Sequence, residues 1–297
     1  MSATASTAKT PWWQPGPIDF SKSELLLMRL FFAVMVFFNV KWETAPYTTQ
    51  RNPTGLAHFI DFTWLAHHPP GLVWKGIVAA GLFCYMLGIA PGATLAPAAL
   101  TALMIGTLVT SKAMQHSWHL VTLIVLAQFI VYAWPKRRAD WLRPSLAVHR
   151  LAIYATTVVF AAAYVVCGVV KLVNSDFRWI QKVPYLSVQL LKSNWASYYD
   201  TLQPVAPWLD RATQAIVDYP NIARLFFGAG LLIELLGFVI LINRAWAFWG
   251  GLAIIALHLS ISKVMDLHFE YHMAAALVFL VLPNVRHALR FRAPASV

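Results

Sequence analysis

Charge is what this sequence has least of. Its 297 residues include only 12 acids, and charged residues of both signs make up 12% of the chain, about half the usual globular share. That scarcity excludes a disordered chain, which needs high charge and few apolar groups. Cysteine is nearly absent too. Cys84 and Cys167 both fall inside apolar runs, which argues against a disulfide framework or a thiolate metal site. The GxSxG, Walker, Rossmann, HExxH and CxxC signatures are missing. So are strand-like alternation, internal repeats and paired ExxH motifs of the di-iron bundle kind. The net charge is +11, yet no basic stripe carries base-stacking aromatics, so nucleic acid is not an expected partner.

What is present is apolar. Hydrophobic residues make up 59% of the chain and mean hydropathy is +0.60, the profile of an integral membrane protein. A spanning helix needs about 20 mostly apolar residues. Eight stretches qualify as candidates: 24–42, 72–90, 93–111, 118–134, 151–173, 225–243, 246–263 and 268–283. The second and third are split by a tight turn, "APG", and the last is short enough to be partly re-entrant. The expected fold is therefore all-α: a polytopic membrane bundle of about eight transmembrane helices. A polar N-terminal tail (1–23) lacks the apolar core of a removable signal peptide. One helical domain (24–283) follows, then a basic tail (284–297). The connection 174–224, rich in Trp, Tyr, Asp and Pro, is read as a long loop between helices 5 and 6. A loop that long is functional or builds its own substructure, and its aromatics suit the membrane surface.

Basic residues assign the sides. Lys136, Arg137, Arg138, Arg143, Arg150 and Arg244, with the cations of both tails, fall on one side. The other side has little in its short loops: Arg51, Lys112 and Lys263, with Lys41 at a helix end. The positive-inside rule then puts both termini in the cytoplasm. The expected location is a bacterial inner membrane, with any reactive cavity open to the extracytoplasmic side. Lys171, Lys112, His116, His119, Asp266, His268 and His272 all fall toward that side.

Lys171 closes an apolar run within "YVVCGVVKLVNSDFRW" (164–179). It either snorkels to the interface or is held in a low-dielectric pocket, where carrying charge is costly and the amine can serve as a base. In "SKAMQHSWHL" (111–120), Lys112, His116 and His119 are spaced at single helical turns. They either cap the interface beside Trp118 or bind a polar head group or quinone oxygen. "HLSISKVMDLHFEYHM" (258–273) is the densest polar cluster, with His258, Asp266, His268, Glu270 and His272. His268 and His272 are spaced to share a helical face, with Glu270 pointing elsewhere. Five histidines (His116, His119, His258, His268 and His272) would ligate a transition metal if their helices converge. Glu234, mid-span in "LLIELLGF", is an expensive ionisable group and so a candidate site residue. It pairs with Lys171 or a histidine, or stays protonated. His58, His67, His68, His149 and His287 read as loop histidines.

The lysine segment resembles the Tyr…Gly-x-x-Lys-Leu…Asp-x-Trp segment of the vitamin K-dependent γ-glutamyl carboxylases and their short relatives, the horizontally transferred transmembrane domain (HTTM) proteins. "KAMQHSWHL" is similar to that family's Lys…Asn-His-x-Tyr-Leu segment, and "GLAIIALHLSISKVMDLHFEYHM" to its late helix. Together these segments reach across most of 24–283. The resemblance implies that Lys171 deprotonates a vitamin K-type hydroquinone. Molecular oxygen then gives an alkoxide and an epoxide, the alkoxide removes a glutamate γ-proton, and the carbanion takes up carbon dioxide. It implies His116, or its competitor His119, as the assisting histidine, and no metal. The chain departs from the full-length carboxylases in lacking their large extramembrane portion, and its 268–272 end has no counterpart there.

The expected function is thus that of a membrane carboxylase- and quinol epoxidase-like enzyme, with Lys171 and His116 catalytic. Lys112, His119, Glu234, His258 and Asp266 are expected to line the quinone site, and the acceptor substrate stays open. The alternatives are a histidine-ligated metal-dependent membrane oxidoreductase, or a non-catalytic helper subunit of the same fold. Expected partners are the lipid bilayer and a quinone, with a partner subunit or a second copy.

Overall fold

A computed structural model of the chain describes residues 20–39, 53, 55–111, 119–135, 137–202 and 204–290. Among these residues every regular element is helical and no strand occurs. Helix α1 (Lys22–Asn39) is followed by short 3-10 turns and then α2 (Leu72–Leu87), α3 (Pro91–Ser111) and α4 (His119–Ala133). The longest helix, α5 (Leu146–Asn174), leads into α6 (Trp179–Lys182), α7 (Leu186–Thr201), α8 (Leu209–Asp218) and α9 (Pro220–Leu235). A 3-10 turn (Gly237–Leu241) connects α9 to α10 (Arg244–Met265). The described residues end in α11 (Glu270–Ala276), a π turn (Leu277–Val281) and α12 (Val285–Arg290).

Local chemistry sets the helix ends. Gly88 takes a left-handed φ of 75° after α2, and its N–H and that of Ile89 return to Tyr85 and Cys84 carbonyls, the hydrogen bonding of a glycine C-cap. Pro91 then opens α3 at a position that needs no N–H. Asn243 caps α10, its Oδ1 accepting from the Ala245 and Trp246 amides at 3.0 Å.

Helices lie over all eight of the expected stretches. By length and apolarity four can cross a membrane: 91–111, 146–174, 244–265 and 270–289, or five if the bent pair α8 and α9 counts as one span. The remaining three have physical reasons to fall short. Helix α1 carries Lys22, Glu24 and Arg29. Helices α2 and α4 have 16 and 15 residues, fewer than the about 20 that cross hydrocarbon. Residues such as Phe31, Val34, Ile130, Val166 and Val169 leave their side chains exposed on the outside of the bundle, where lipid rather than water suits them.

Helices α1 to α5 and α10 to the C-terminal segment share one core, with Phe32, Tyr85, Ile124, Phe160 and Phe279 fully buried. One end of the bundle is clamped by Arg244. Its guanidinium donates to Glu24 Oε1 at 2.9 Å, to Asn284 Oδ1 at 2.7 Å and to the Pro283 carbonyl. Arg150 donates to the Phe20 carbonyl at 3.3 Å, so α1, α5 and α10 all start at this end. Lys171 follows Arg150 by 21 residues, roughly 31 Å along a helix. That is about the thickness of bilayer hydrocarbon, so the two cations on α5 stand a membrane's width apart.

The segment 174–224 is not an open loop. It forms α6, α7, α8 and the start of α9, which close over a small second core of Val183, Leu190, Leu209, Ile216 and Ala223. Val264 and Met265 at the end of α10 pack onto this core, and α8 meets α9 at 103°. A connection this long is expected to be functional or to build its own substructure, and its helices of 4, 16 and 10 residues build one.

Candidate functional site

Two glycines bring the site together. A Cβ on Gly168 of α5 would stand 2.9 Å from Leu235 Cδ2 and 3.1 Å from its backbone nitrogen. A Cβ on Gly237 would stand 2.9 Å from Tyr164 Cβ. Without side chains at these two points, α5 lies directly against the end of α9 and the turn that follows. Lys171, one turn beyond Gly168, then reaches Glu234, the neighbour of Leu235. Lys171 Nζ donates to Glu234 Oε1 at 2.5 Å. The lysine side chain is 38% exposed and the glutamate 8%, so the acid sits in the packed interior and the amine reaches it from the rim. The Trp179 ring of α6 lies 5.9 Å from Nζ, within cation–π range.

Two turns earlier on the same face of α5, the buried Tyr164 hydroxyl meets His258 Nε2 of α10 at 2.5 Å. The His258 ring stacks at 4.7 Å on Phe269 and lies 5.1 Å from the His272 ring. Gly168 lies between Tyr164 and Lys171 on this face, against Leu235 of α9. The amine, carboxylate, phenol and imidazole therefore form one unit of two bonded pairs, carried by α5 and completed by α9 and α10. Two buried atoms of this unit, Glu234 Oε2 and His258 Nδ1, have no hydrogen-bond partner among the described residues. Unsatisfied polar atoms at such depth cost free energy and mark places where a further polar group can bind.

The structure thus brings together Lys171, Glu234 and His258, with His272 beside them. His119 begins α4 and faces α3. Its Nε2 meets Thr110 Oγ1 at 2.8 Å and the Gly106 carbonyl at 3.3 Å on α3. Lys112 and His116 lie outside the described residues.

Asp266 and His268 correct the sequence expectation. Helix α10 stops at Asp266, which takes a left-handed φ of 51°, and 266–269 are not helical. His268 and His272 therefore share no helical face. His268 is exposed and meets Glu270 at 2.9 Å and Asp266 at 3.7 Å, so Glu270 does not point elsewhere. For a metal, no group of three or more potential ligands occurs among the described residues. His149 and His287 also leave the loop class: His149 lies in the first turn of α5 and meets the Tyr132 hydroxyl at 2.9 Å, and His287 lies in α12.

Tyr164 and Phe269 are the site residues that sequence reasoning missed. Tyr164 carried a signal, since seven residues separate it from Lys171 and two turns put both on one face. Phe269 carried none, because its place depends on the break after α10. The chain matches no family model, no curated protein and no solved structure.

Proposed function

We propose that the chain is a polytopic membrane enzyme in which Lys171 accepts a proton from a reduced quinone during oxygen-dependent quinol chemistry. The observation that supports this reading most is the Lys171–Glu234 contact at 2.5 Å beside two unpartnered buried atoms. The residues suit a flat, apolar ring bearing hydroxyl groups. Phe269 and Trp179 supply aromatic faces near His258 and Lys171, while Glu234 Oε2 and His258 Nδ1 supply polar contacts.

Glu234 gives the lysine a route to the free amine. Passing one proton from the ammonium to the carboxylate leaves a neutral amine and a neutral acid, with no net charge in low dielectric. The amine then takes the hydroxyl proton of a bound quinol. When bound, the quinol supplies the reaction with oxygen and, in the resemblance stated above, the strong base that drives carboxylation or another proton abstraction. Tyr164 fixes the orientation of His258, and burial of Glu234, Tyr164 and His258 limits water around the anion that forms. Eight spans, with the short α2 and α4 and the charge-bearing α1 crossing beside the longer helices by local thinning and snorkelling, cytoplasmic termini and a site near the extracytoplasmic surface complete the proposal. They rest on the eight helical stretches and on the basic residues at the Arg244 end.

The test uses purified full-length protein in lipid nanodiscs with a reduced vitamin K-type quinone and oxygen. Oxygen-dependent conversion of the quinol to its epoxide is expected, with Lys171→Ala slower by roughly 100-fold or more while helix content is retained. Unchanged turnover in Lys171→Ala, or a folded wild type inert toward quinols, sinks the proposal. Tolerance of Lys171→Met in cells would instead favour the helper subunit.

A further inference from the structure

At the Arg244 end of the bundle the structure holds a second buried cation that the quinol reading does not use. Arg29 of α1 is 9% exposed, and its Nε and Nη1 have no hydrogen-bond partner among the described residues. No acidic side chain among those residues pairs with it. The two described acids of this region are engaged elsewhere: Glu24 by Arg244 and Ser21, Asp140 by the Ser145 amide at 2.7 Å. Cations, by contrast, gather at this end, where Arg150 donates to the Phe20 carbonyl and the Arg244 guanidinium lies 4.4 Å from the Phe20 ring.

The fold makes room for the guanidinium. A Cβ on Gly88 would lie 2.3 Å from Arg29 Nη1, so the glycine that caps α2 also admits the arginine. The carbonyl end of α2 offers only a partial counter-charge. The polar side chains packed along this part of the core are Tyr85, which meets Phe32 one turn on from Arg29, and Tyr132 and His149 beyond it. Tyr85 is bonded to Gln128, and Tyr132 to His149, so none of them supplies a negative charge. A buried guanidinium without an anion is costly, and its planar fork matches two oxygens of a phosphate.

We propose that Arg29 anchors an oxyanion site that takes a phosphate group, from a phospholipid headgroup or from a free phosphate. Delipidated full-length protein in neutral detergent is titrated with phosphatidylglycerol, phosphatidylcholine and inorganic phosphate, reading melting temperature and bound mass by native mass spectrometry. A saturable rise is expected, with Arg29→Gln weakening binding roughly ten-fold or more. Arg29→Lys, which keeps charge but loses the fork, should fall between. The exposed Arg138→Gln should bind as wild type does. Response to phosphatidylglycerol alone assigns a lipid, and response to inorganic phosphate alone assigns a free anion. If Arg29→Gln does not fold, the wild-type titration and Arg29→Lys decide. No saturable response in the wild type, or an unchanged response in Arg29→Lys and in any folded Arg29→Gln, overturns the proposal.

Discussion

Gly237 and Tyr164 meet at the point where α5 comes nearest to the turn after α9, with room for a hydrogen and not for a methyl group. Gly237→Ala should push the two segments apart and cost about 1–3 kcal/mol, the usual range for overpacking. Thermal or denaturant unfolding in detergent measures it. An unchanged melting temperature would mean the contact is looser than described.

Glu234→Gln should destabilise the protein by about 1–3 kcal/mol. That is less than a fully buried pair would lose, because Lys171 keeps 38% of its side chain exposed. Lys171→Met in the Glu234→Leu background should recover most of the loss, since no uncompensated charge remains. A double-mutant cycle reads the coupling directly, and additivity of the two changes would show that the contact contributes nothing.

Tyr164→Phe removes the partner of His258 Nε2 while Nδ1 already lacks one, leaving a buried ring with neither nitrogen bonded. The expected cost is about 1–3 kcal/mol. His258→Phe combined with Tyr164→Phe should be milder than the two single losses added together, because the unsatisfied groups disappear as a pair.

Arg244→Lys should loosen the clamped end by about 2 kcal/mol. A single ammonium lacks the planar fork with which the guanidinium serves Glu24, Asn284 and the Pro283 carbonyl at once. Amide exchange at the starts of α1 and α10 should quicken before the middle of α5 responds. Uniform exchange across all three helices would contradict this.

Much of the architecture was legible in the residues. Long apolar runs located the helices, and Pro91 and Gly92 marked the turn between α2 and α3. Lys171 and Glu234 stood out because ionisable groups inside apolar runs are costly, and the open question of Glu234's partner has a direct answer in Lys171. What the sequence hid depended on distant contacts. The helices of 174–218 are amphipathic and short, so hydropathy passes over them. The left-handed Asp266 breaks the spacing that made His268 and His272 look like one face. Arg29 drew no notice because an arginine in the second turn of an apolar helix looks like an interfacial anchor. Only the fold shows that it points into packed surroundings.

The helices of 174–218 follow directly on the Lys171 end of α5 and pack a small core of their own, with the Trp179 ring 5.9 Å from the amine. Val166, Val169 and Val170 face outward along the same stretch of α5 and offer hydrocarbon an apolar surface. The ammonium, already 38% exposed, thus stands at a seam between two kinds of neighbour. On one side is bare aliphatic helix, on the other a folded aromatic cap, and the amine is anchored between them by a single buried carboxylate.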